Sequence, residues 1–236
     1  MVAFILTSLG DALLSEGDLF NAITEYKRQL FRGEGNSETV LLKIGYAYYV
    51  RRKYDYAAYY FSLSRKQFPE ALYLQAIALI KGNDSPTALY LVEGDTSSMG
   101  KWVRALALVS LGRYKKARTV LDSLGVYPPI RWNGRVYVAL SYLLPGSGHM
   151  FLGRYSEGFK TLIANTIAFA GAYYLLKRKL YYDLILYVPT VLLRFYEGGV
   201  SRVKKHIAED NTRVIDRIAD SLVTDIMAPI LPLSTR

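Results

Sequence analysis

Displacing the chain by 35 residues against itself brings Leu9-Gly10 onto Ile44-Gly45, Ala22 onto Ala57 and Tyr26 onto Phe61. Each unit so defined reads as a large residue beside a small one, then a turn, then an alanine with an aromatic residue four positions on. Gly17-Asp18 makes the turn of the first unit, and Pro69 closes the second. The pattern predicts helix–turn–helix pairs, because antiparallel helices approach closely only where one offers a small side chain opposite a large one. Two shorter units come next. One runs from about Ala71 to Glu93, with Ala76 and Ala88 as its small residues and Asn83-Asp84-Ser85-Pro86 as its turn. The other has Ala105, the turn Leu111-Gly112-Arg113-Tyr114, Ala117 and Leu121. The apolar opening Val2-Ala3-Phe4-Ile5-Leu6 lacks the preceding basic residues of a secretory signal and is taken as the start of the first helix.

Past Pro128-Pro129 the chain becomes more apolar. A helix is predicted from Trp132 to Leu144, ended by Pro145-Gly146-Ser147-Gly148, and Leu152-Gly153-Arg154-Tyr155 then repeats the earlier turn tetrapeptide. Thr161 to Leu176 is an uncharged run of 16 residues, short of the roughly 20 that cross a bilayer unless Gly158, Phe159 and a snorkelling Lys160 are added. Lys177-Arg178-Lys179, flanked by tyrosine pairs, makes a basic turn into a second apolar stretch from Leu180 to Leu193, which carries Asp183 and Pro189 and is followed by Arg194. Two readings compete: a membrane hairpin with its charges near the ends, or a hairpin buried against the repeats. The cluster of Lys160, Arg194, Arg202, Lys204 and Lys205 at the apolar ends favours the membrane, and Lys160, Lys177, Arg178, Lys179 and Arg194 are the expected interface residues. Beyond it Val203, Ile207, Val214, Ile218, Leu222 and Ile226 form one apolar helical face, which packs on the repeats or lies on the bilayer.

The recurring pattern over residues 3–125 resembles the tetratricopeptide (TPR) repeat, a helix–turn–helix of roughly 34 residues. The resemblance implies an all-α superhelix whose concave groove is lined at Thr39, Leu42, Tyr46, Tyr49, Tyr73, Ile77, Trp102 and Leu106. Leu42 and Tyr46 replace the polar residues of carboxylate-clamping members, so the implied client is a protein or peptide held by apolar anchors; the alternative is that the chain's own C-terminal half fills the groove. The segment Pro145, Gly146, Gly148, Phe151, Gly153, Arg154, Tyr155 and Gly158 is similar to a P-G-x-G-Q-x-Y-x-G-R-Y-x-D-G signature that precedes paired membrane helices in bacterial envelope proteins, with His149, Phe151 and Glu157 as departures. Phe195-Tyr196-Glu197-Gly198-Gly199 matches the F-Y-x-G-N that comes after such hairpins, save for Gly199. The expected organisation is therefore repeats over 1–127, a connecting helix and glycine loop over 128–157, the hairpin over 158–198, an amphipathic helix over 199–228 and a tail over 229–236.

Composition narrows the chemistry. A net charge of +10 calls for an anionic surface, and 21 tyrosines suit half-wet surfaces such as grooves and membrane interfaces. Without cysteine there is no disulfide, thiolate site or cysteine nucleophile. Residues 94–101 lack the spacing of a phosphate loop, and Gly146-Ser147-Gly148 lacks that of a nucleophile elbow. His149 reads as a turn residue and His206 as a surface residue. No catalytic residue, cofactor or metal is expected. Membrane lipid is the expected partner beside a protein client. Nucleic acid is the weaker claimant on the charge, because Arg51-Arg52-Lys53-Tyr54 and Arg113-Tyr114-Lys115-Lys116 fall at repeat turns, where charges are ordinarily solvated. The sequence thus points to a non-enzymatic membrane scaffold of the bacterial inner membrane, with a soluble repeat module as the alternative. Its topology stays open, since the basic turn at 177–179 and the basic residues beyond Arg194 pull in opposite directions.

Overall fold

The computed structural model of the chain describes residues 8–130 and 134–231. Among these residues the protein is all-α, with thirteen α-helices, one π-helical turn and no strand. The expected helix start at residues 2–6, the start at Trp132 and the tail from Pro232 lie outside the described residues. The chain divides into two compact units: one holds the described residues up to Pro128 together with those from Val214 onward, the other Pro129–Arg213.

The first unit is a helical-repeat array of four hairpins: α1 (Leu9–Ser15) with α2 (Leu19–Arg32), α3 (Ser37–Val50) with α4 (Tyr54–Ser64), α5 (Ala71–Lys81) with α6 (Ser85–Leu91), and α7 (Ser98–Ser110) with α8 (Tyr114–Asp122). Each helix packs on the next along the whole series. The small-against-large rule holds at atomic distance: a Cβ added to Gly10 would meet the Tyr26 ring at 2.5 Å, and one added to Gly45 would meet the Phe61 ring at 2.7 Å. Ala22, Ala57, Ala76, Ala88 and Ala117 are fully buried and Ala105 nearly so, as are Tyr26 and Phe61. Polar caps fix the helix starts. Ser8 and Asp11 form a reciprocal capping box, and Asn36, Asp84 and Ser97 each accept a hydrogen bond from a first-turn amide.

One turn geometry joins the two helices of every hairpin. A residue in the left-handed region, Gly17, Arg52, Asn83 or Gly112, is followed by an amide that donates five residues back: Asp18 to Leu13, Lys53 to Tyr48, Asp84 to Leu79 and Arg113 to Leu108, at 2.8–2.9 Å. This is the Schellman closure of a helix end, which satisfies carbonyls that the helix leaves open.

The second unit uses the same turn. It comprises α9 (Gly134–Leu143), α10 (Ser147–Phe151), α11 (Tyr155–Lys177), α12 (Tyr181–Tyr187), a π-helical turn (Val188–Leu192) and the first part of α13 (Leu193–Met227). Gly153 and Lys179 take the left-handed position, and the amides of Arg154 and Leu180 close back on His149 and Leu175. Pro189, which cannot donate into a regular α-helix, lies in the π-helical turn. α11 packs on α12 and on that turn. Leu152, Val203 and Ile207 make a small core with Tyr137 and Val138.

Three expectations need correction. α13 does not begin after Gly199 but runs through it. Gly199 serves helix approach rather than capping, since an added Cβ would meet Thr161 at 2.8 Å. The buried stripe of α13 passes through Val203, Ile207, Asn211, Ile215, Ala219, Val223 and Met227, with the predicted Val214, Ile218, Leu222 and Ile226 half-buried on its flank. No helix among the described residues is long and apolar enough to cross a membrane. The reason is local: α11 opens with Glu157 and Lys160 and carries Thr161, Asn165 and Thr166 inside, while α12 has only seven residues.

Candidate functional site

The eight positions assigned to a groove separate by burial. Leu42, Ile77 and Leu106 are at most 2% exposed and offer nothing to an outside ligand in this arrangement. Thr39, Tyr46, Tyr73 and Trp102 are half-buried. Tyr73 is engaged locally, its hydroxyl 2.7 Å from Asp95 and 3.1 Å from Ser97. Tyr46 and Tyr49 do come together, in a pocket of about 410 Å³ whose opposite wall is Asp216, Asp220, Val223 and Thr224 of α13. The Tyr49 hydroxyl donates to Asp220 Oδ1 at 2.6 Å, and Lys81 Nζ stands 3.0 Å from a carboxylate oxygen of both Asp216 and Asp220. Lys81 also lies 5.8 Å from the ring centroids of Tyr49 and Tyr54. Burial and the Asp220 carboxylate push the Tyr49 phenol well above its ordinary pKa. Burial works against the Lys81 ammonium, but the two carboxylates outweigh it and raise its pKa. The end of α13 therefore supplies one wall of this pocket, and the choice that periodicity leaves open for residues from Val214 onward is resolved in favour of packing on the repeats.

The segment from Pro145 to Gly158 is a corner built on close backbone approach. Gly146, at φ +92°, starts α10, and a Cβ there would lie 2.3 Å from the carbonyl oxygen of Gly158. One on Gly148 would lie 2.0 Å from Ser141 Oγ and 2.4 Å from the Tyr137 carbonyl. Ser147 Oγ donates to the carbonyls of Leu140 and Leu144 at 2.7 and 2.8 Å, tying α10 to the end of α9. Arg154 reaches Asp210 of α13 at 3.2 Å and Glu157 at 3.7 Å, whereas Phe151 and Tyr155 project outward. Among the motif residues Gly146, Gly148 and Gly158 are closely packed, Gly153 is an exposed turn glycine, and Phe151 and Tyr155 are exposed aromatics.

Beyond the corner the hairpin turns its apolar side chains outward. Ile163, Ile167, Tyr173, Ile185 and Leu186 are each 58–67% exposed, and Phe159, Phe169, Tyr174 and Leu176 about half. The hairpin's inner seam is narrow: Ala168 is buried, Gly171 faces the Tyr187 phenol, and that phenol donates to the Ala168 carbonyl at 3.2 Å. Lys160, Lys177, Arg178, Lys179 and Arg194 are all exposed at its ends. Asp183 is exposed as well and makes no ion pair among the described residues.

A cluster that the sequence does not announce lies behind the corner. His149 is not a solvent-facing turn residue: it sits in α10 at 1% exposure, drawn in because the glycines let α10 press against α9 and α11. Nor is His206 a surface residue, its side chain being 13% exposed. Both face Glu157 in the first turn of α11. Glu157 Oε2 is 2.5 Å from His206 Nε2 and 3.8 Å from His149 Nδ1, and the two rings meet edge to face at 5.5 Å. Neither ring nitrogen of His149 makes a hydrogen bond of ordinary geometry. Burial, reinforced by His206 and Arg202 and opposed by Glu157, lowers the His149 pKa and favours its neutral ring. The one sequence signal was the helical spacing of His206 and Glu209, which places a carboxylate 3.3 Å from His206 Nδ1.

No protein family, characterised protein or solved structure matches the chain.

Proposed function

We propose that this chain is a membrane-attached, non-enzymatic scaffold, a TPR-like array held at a bilayer by the 158–196 hairpin. The observation that carries the reading is the outward apolar face of that hairpin. Ile163, Ile167, Ile185 and Leu186 stand 58–67% exposed in a chain whose repeat core is closely packed. Burying a large aliphatic side chain fully is worth about 1.5–3 kcal/mol, so each forfeits roughly 1–2 kcal/mol while it faces water. Contiguous exposed apolar faces of this kind mark interaction sites. The exposed cations at the hairpin's ends add roughly 1 kcal/mol each against acidic headgroups. Since neither arm has the length and apolarity of a spanning helix, the hairpin lies in the membrane interface, with its outward apolar side chains in the acyl layer and its basic turn at the headgroups. The bacterial inner-membrane setting rests on the similarity of Pro145–Gly158 to the envelope signature.

The scaffold's client is a protein segment that competes with the end of α13 for Tyr46 and Tyr49. Such competition would act first on the partly exposed, salt-sensitive carboxylate contacts that Asp216 and Asp220 make at the pocket. Flotation tests the membrane half. The chain is expected to rise with vesicles containing acidic lipid, less with neutral ones, and Ile167→Glu with Ile185→Glu is expected to leave it at the bottom of the gradient. Equal flotation of the double variant, or recovery of the parent chain free of vesicles, would overturn the reading in favour of a soluble repeat module.

A further inference from the structure

We propose that His149, His206 and Glu157 bind a divalent first-row transition metal, with zinc the cation they fit best. The donor set is two imidazoles and one carboxylate, the combination of borderline ligands that suits zinc and its neighbours and not calcium or magnesium, which take oxygen alone. The candidate ligand atoms all lie within 4.8 Å of one another. Ligands about 2.0–2.1 Å from a tetrahedral metal stand about 3.3 Å apart. The separations from Glu157 Oε2, 2.5 Å to His206 Nε2 and 3.8 Å to His149 Nδ1, bracket that figure, so the carboxylate meets each histidine at metal-ligand spacing after small side-chain adjustments.

Three further features distinguish this trio from an ordinary ion pair. A His206–Glu157 pair accounts for two of the residues and leaves His149, at 1% exposure, with no hydrogen bond of ordinary geometry, its polar neighbours being the Gly199 backbone and Glu157 Oε2 at 3.8 Å from Nδ1. Buried polar atoms are seldom left so, and a metal supplies the missing contact. Glu209 accepts from the far side of His206, its Oε2 3.3 Å from Nδ1. That is how an outer carboxylate fixes the tautomer and aims Nε2 at a metal. Arg154 is shared between Asp210 at 3.2 Å and the other oxygen of Glu157, Oε1, at 3.7 Å, which leaves Oε2 to the histidines. Glu157 remains 43% exposed, so the metal has a path from solvent and a fourth position for water.

The three ligands come from α10, from the first turn of α11 and from α13, so the metal pins together the elements from which the hairpin springs. This inference is independent of the scaffold reading, because the same site would form in a soluble protein.

The test uses the full chain in detergent, made without a histidine tag and stripped with chelator, and titrated with zinc by calorimetry and with cobalt by visible absorption. One zinc per chain is expected, with the intense cobalt bands of four-coordination. His206→Asn and Glu157→Gln, whose side chains are not fully buried, are expected to weaken zinc binding at least a hundredfold with helicity unchanged. Glu209→Gln, acting through His206, should weaken it by roughly 10–100-fold. His149→Ala reports on the third ligand, and the two partly exposed variants decide the matter if it fails to fold. Failure to bind zinc stoichiometrically, or variants that bind as the parent does, would overturn the assignment.

Discussion

The pairing of Tyr49 with Asp220 makes the occupancy of the repeat pocket measurable. The bond is short, 2.6 Å, and its acceptor is charged, a class worth about 1.5–3 kcal/mol when shielded from water. Tyr49 is buried, at 6% exposure, but the Asp220 side chain is 55% exposed, so solvent screens the pair and about 1 kcal/mol remains. Tyr49→Phe removes the donor without altering the ring, Asp220→Asn removes the acceptor's charge, and the double variant closes the cycle. The readout is amide exchange of residues 219–227, which reports the local opening free energy of the end of α13. Tyr49→Phe should speed exchange about fivefold, as a loss of about 1 kcal/mol implies; Asp220→Asn should speed it more, because it also weakens the Lys81 pair, and the double variant should add little beyond Asp220→Asn. Lys81→Met should cost more, because its ammonium serves both Asp216 and Asp220 and its side chain is only 9% exposed. Additive effects in the cycle, or exchange that none of the variants changes, would refute the claim that α13 closes this pocket and would return Tyr46 and Tyr49 to the status of an open groove.

Three other perturbations probe the array. Gly45→Ala places a Cβ 2.7 Å from the Phe61 ring, and the overpacking cost of about 1–3 kcal/mol outweighs the helix-propensity gain of about 1 kcal/mol; its thermal midpoint should fall, that of Gly198→Ala, with nothing within 4 Å, should rise, and Phe61→Leu should rescue the former. Burial acts to raise the Asp11 carboxyl, but the Lys43 ammonium, 2.8 Å from both oxygens, and the Tyr26 hydroxyl at 2.7 Å prevail and hold its pKa below the ordinary value. A depressed carboxyl pKa stabilises the fold in full above about pH 4 and loses that contribution as pH falls through the folded value, so Asp11→Ala should cost about 3 kcal/mol at pH 7 and progressively less on acidification in denaturant melts. Arg52→Gly should stabilise by about 0.5–1 kcal/mol by relieving a left-handed arginine, whereas Asn83→Gly should be close to neutral because asparagine tolerates that region, as paired melts will show.

The helices of the repeat array were legible because packing left a trace in residue size. Gly10, Gly45, Ala22 and Ala57 are small for the reason the displacement pattern suggests, and their large partners Tyr26 and Phe61 sit against the two glycines. The turns were legible at Gly17 and Gly112 but not at Arg52, where burial of the flanking helices forces an unfavourable residue into the same left-handed geometry. Groove-facing positions were less readable. Register says which side of a helix a residue occupies but not what covers it, so Leu42 and Leu106 share a register with Tyr46 and Trp102 and differ from them in burial. The histidine–glutamate cluster was invisible for a related reason. His149, Glu157 and His206 lie on three helices, and only the glycine corner, whose backbone contacts no periodicity encodes, brings the first two together.

Leu111-Gly112-Arg113-Tyr114 and Leu152-Gly153-Arg154-Tyr155 show how one local device serves two different surroundings. Both place glycine in the left-handed region and return the arginine amide to a carbonyl five residues earlier, at 2.8 and 2.9 Å. The turn geometry is a property of the tetrapeptide, since a left-handed glycine with a closing amide after it needs nothing from the rest of the fold. The length and polarity of the next helix are decided by its side chains. After Tyr114 the helix is short, and its buried Ala117 and Leu121 belong to the repeat unit. After Tyr155 the helix runs for 23 residues and leaves Ile163, Ile167 and Phe169 exposed. Reusing the turn while reversing the polarity of the helix beyond it is what the proposed membrane attachment requires of this chain. Charge placement agrees: α11 carries Glu157 and Lys160 in its first turns and no further charge until Lys177. An amphipathic helix built for water spreads its charges along its length, whereas one that dips into lipid confines them to its ends.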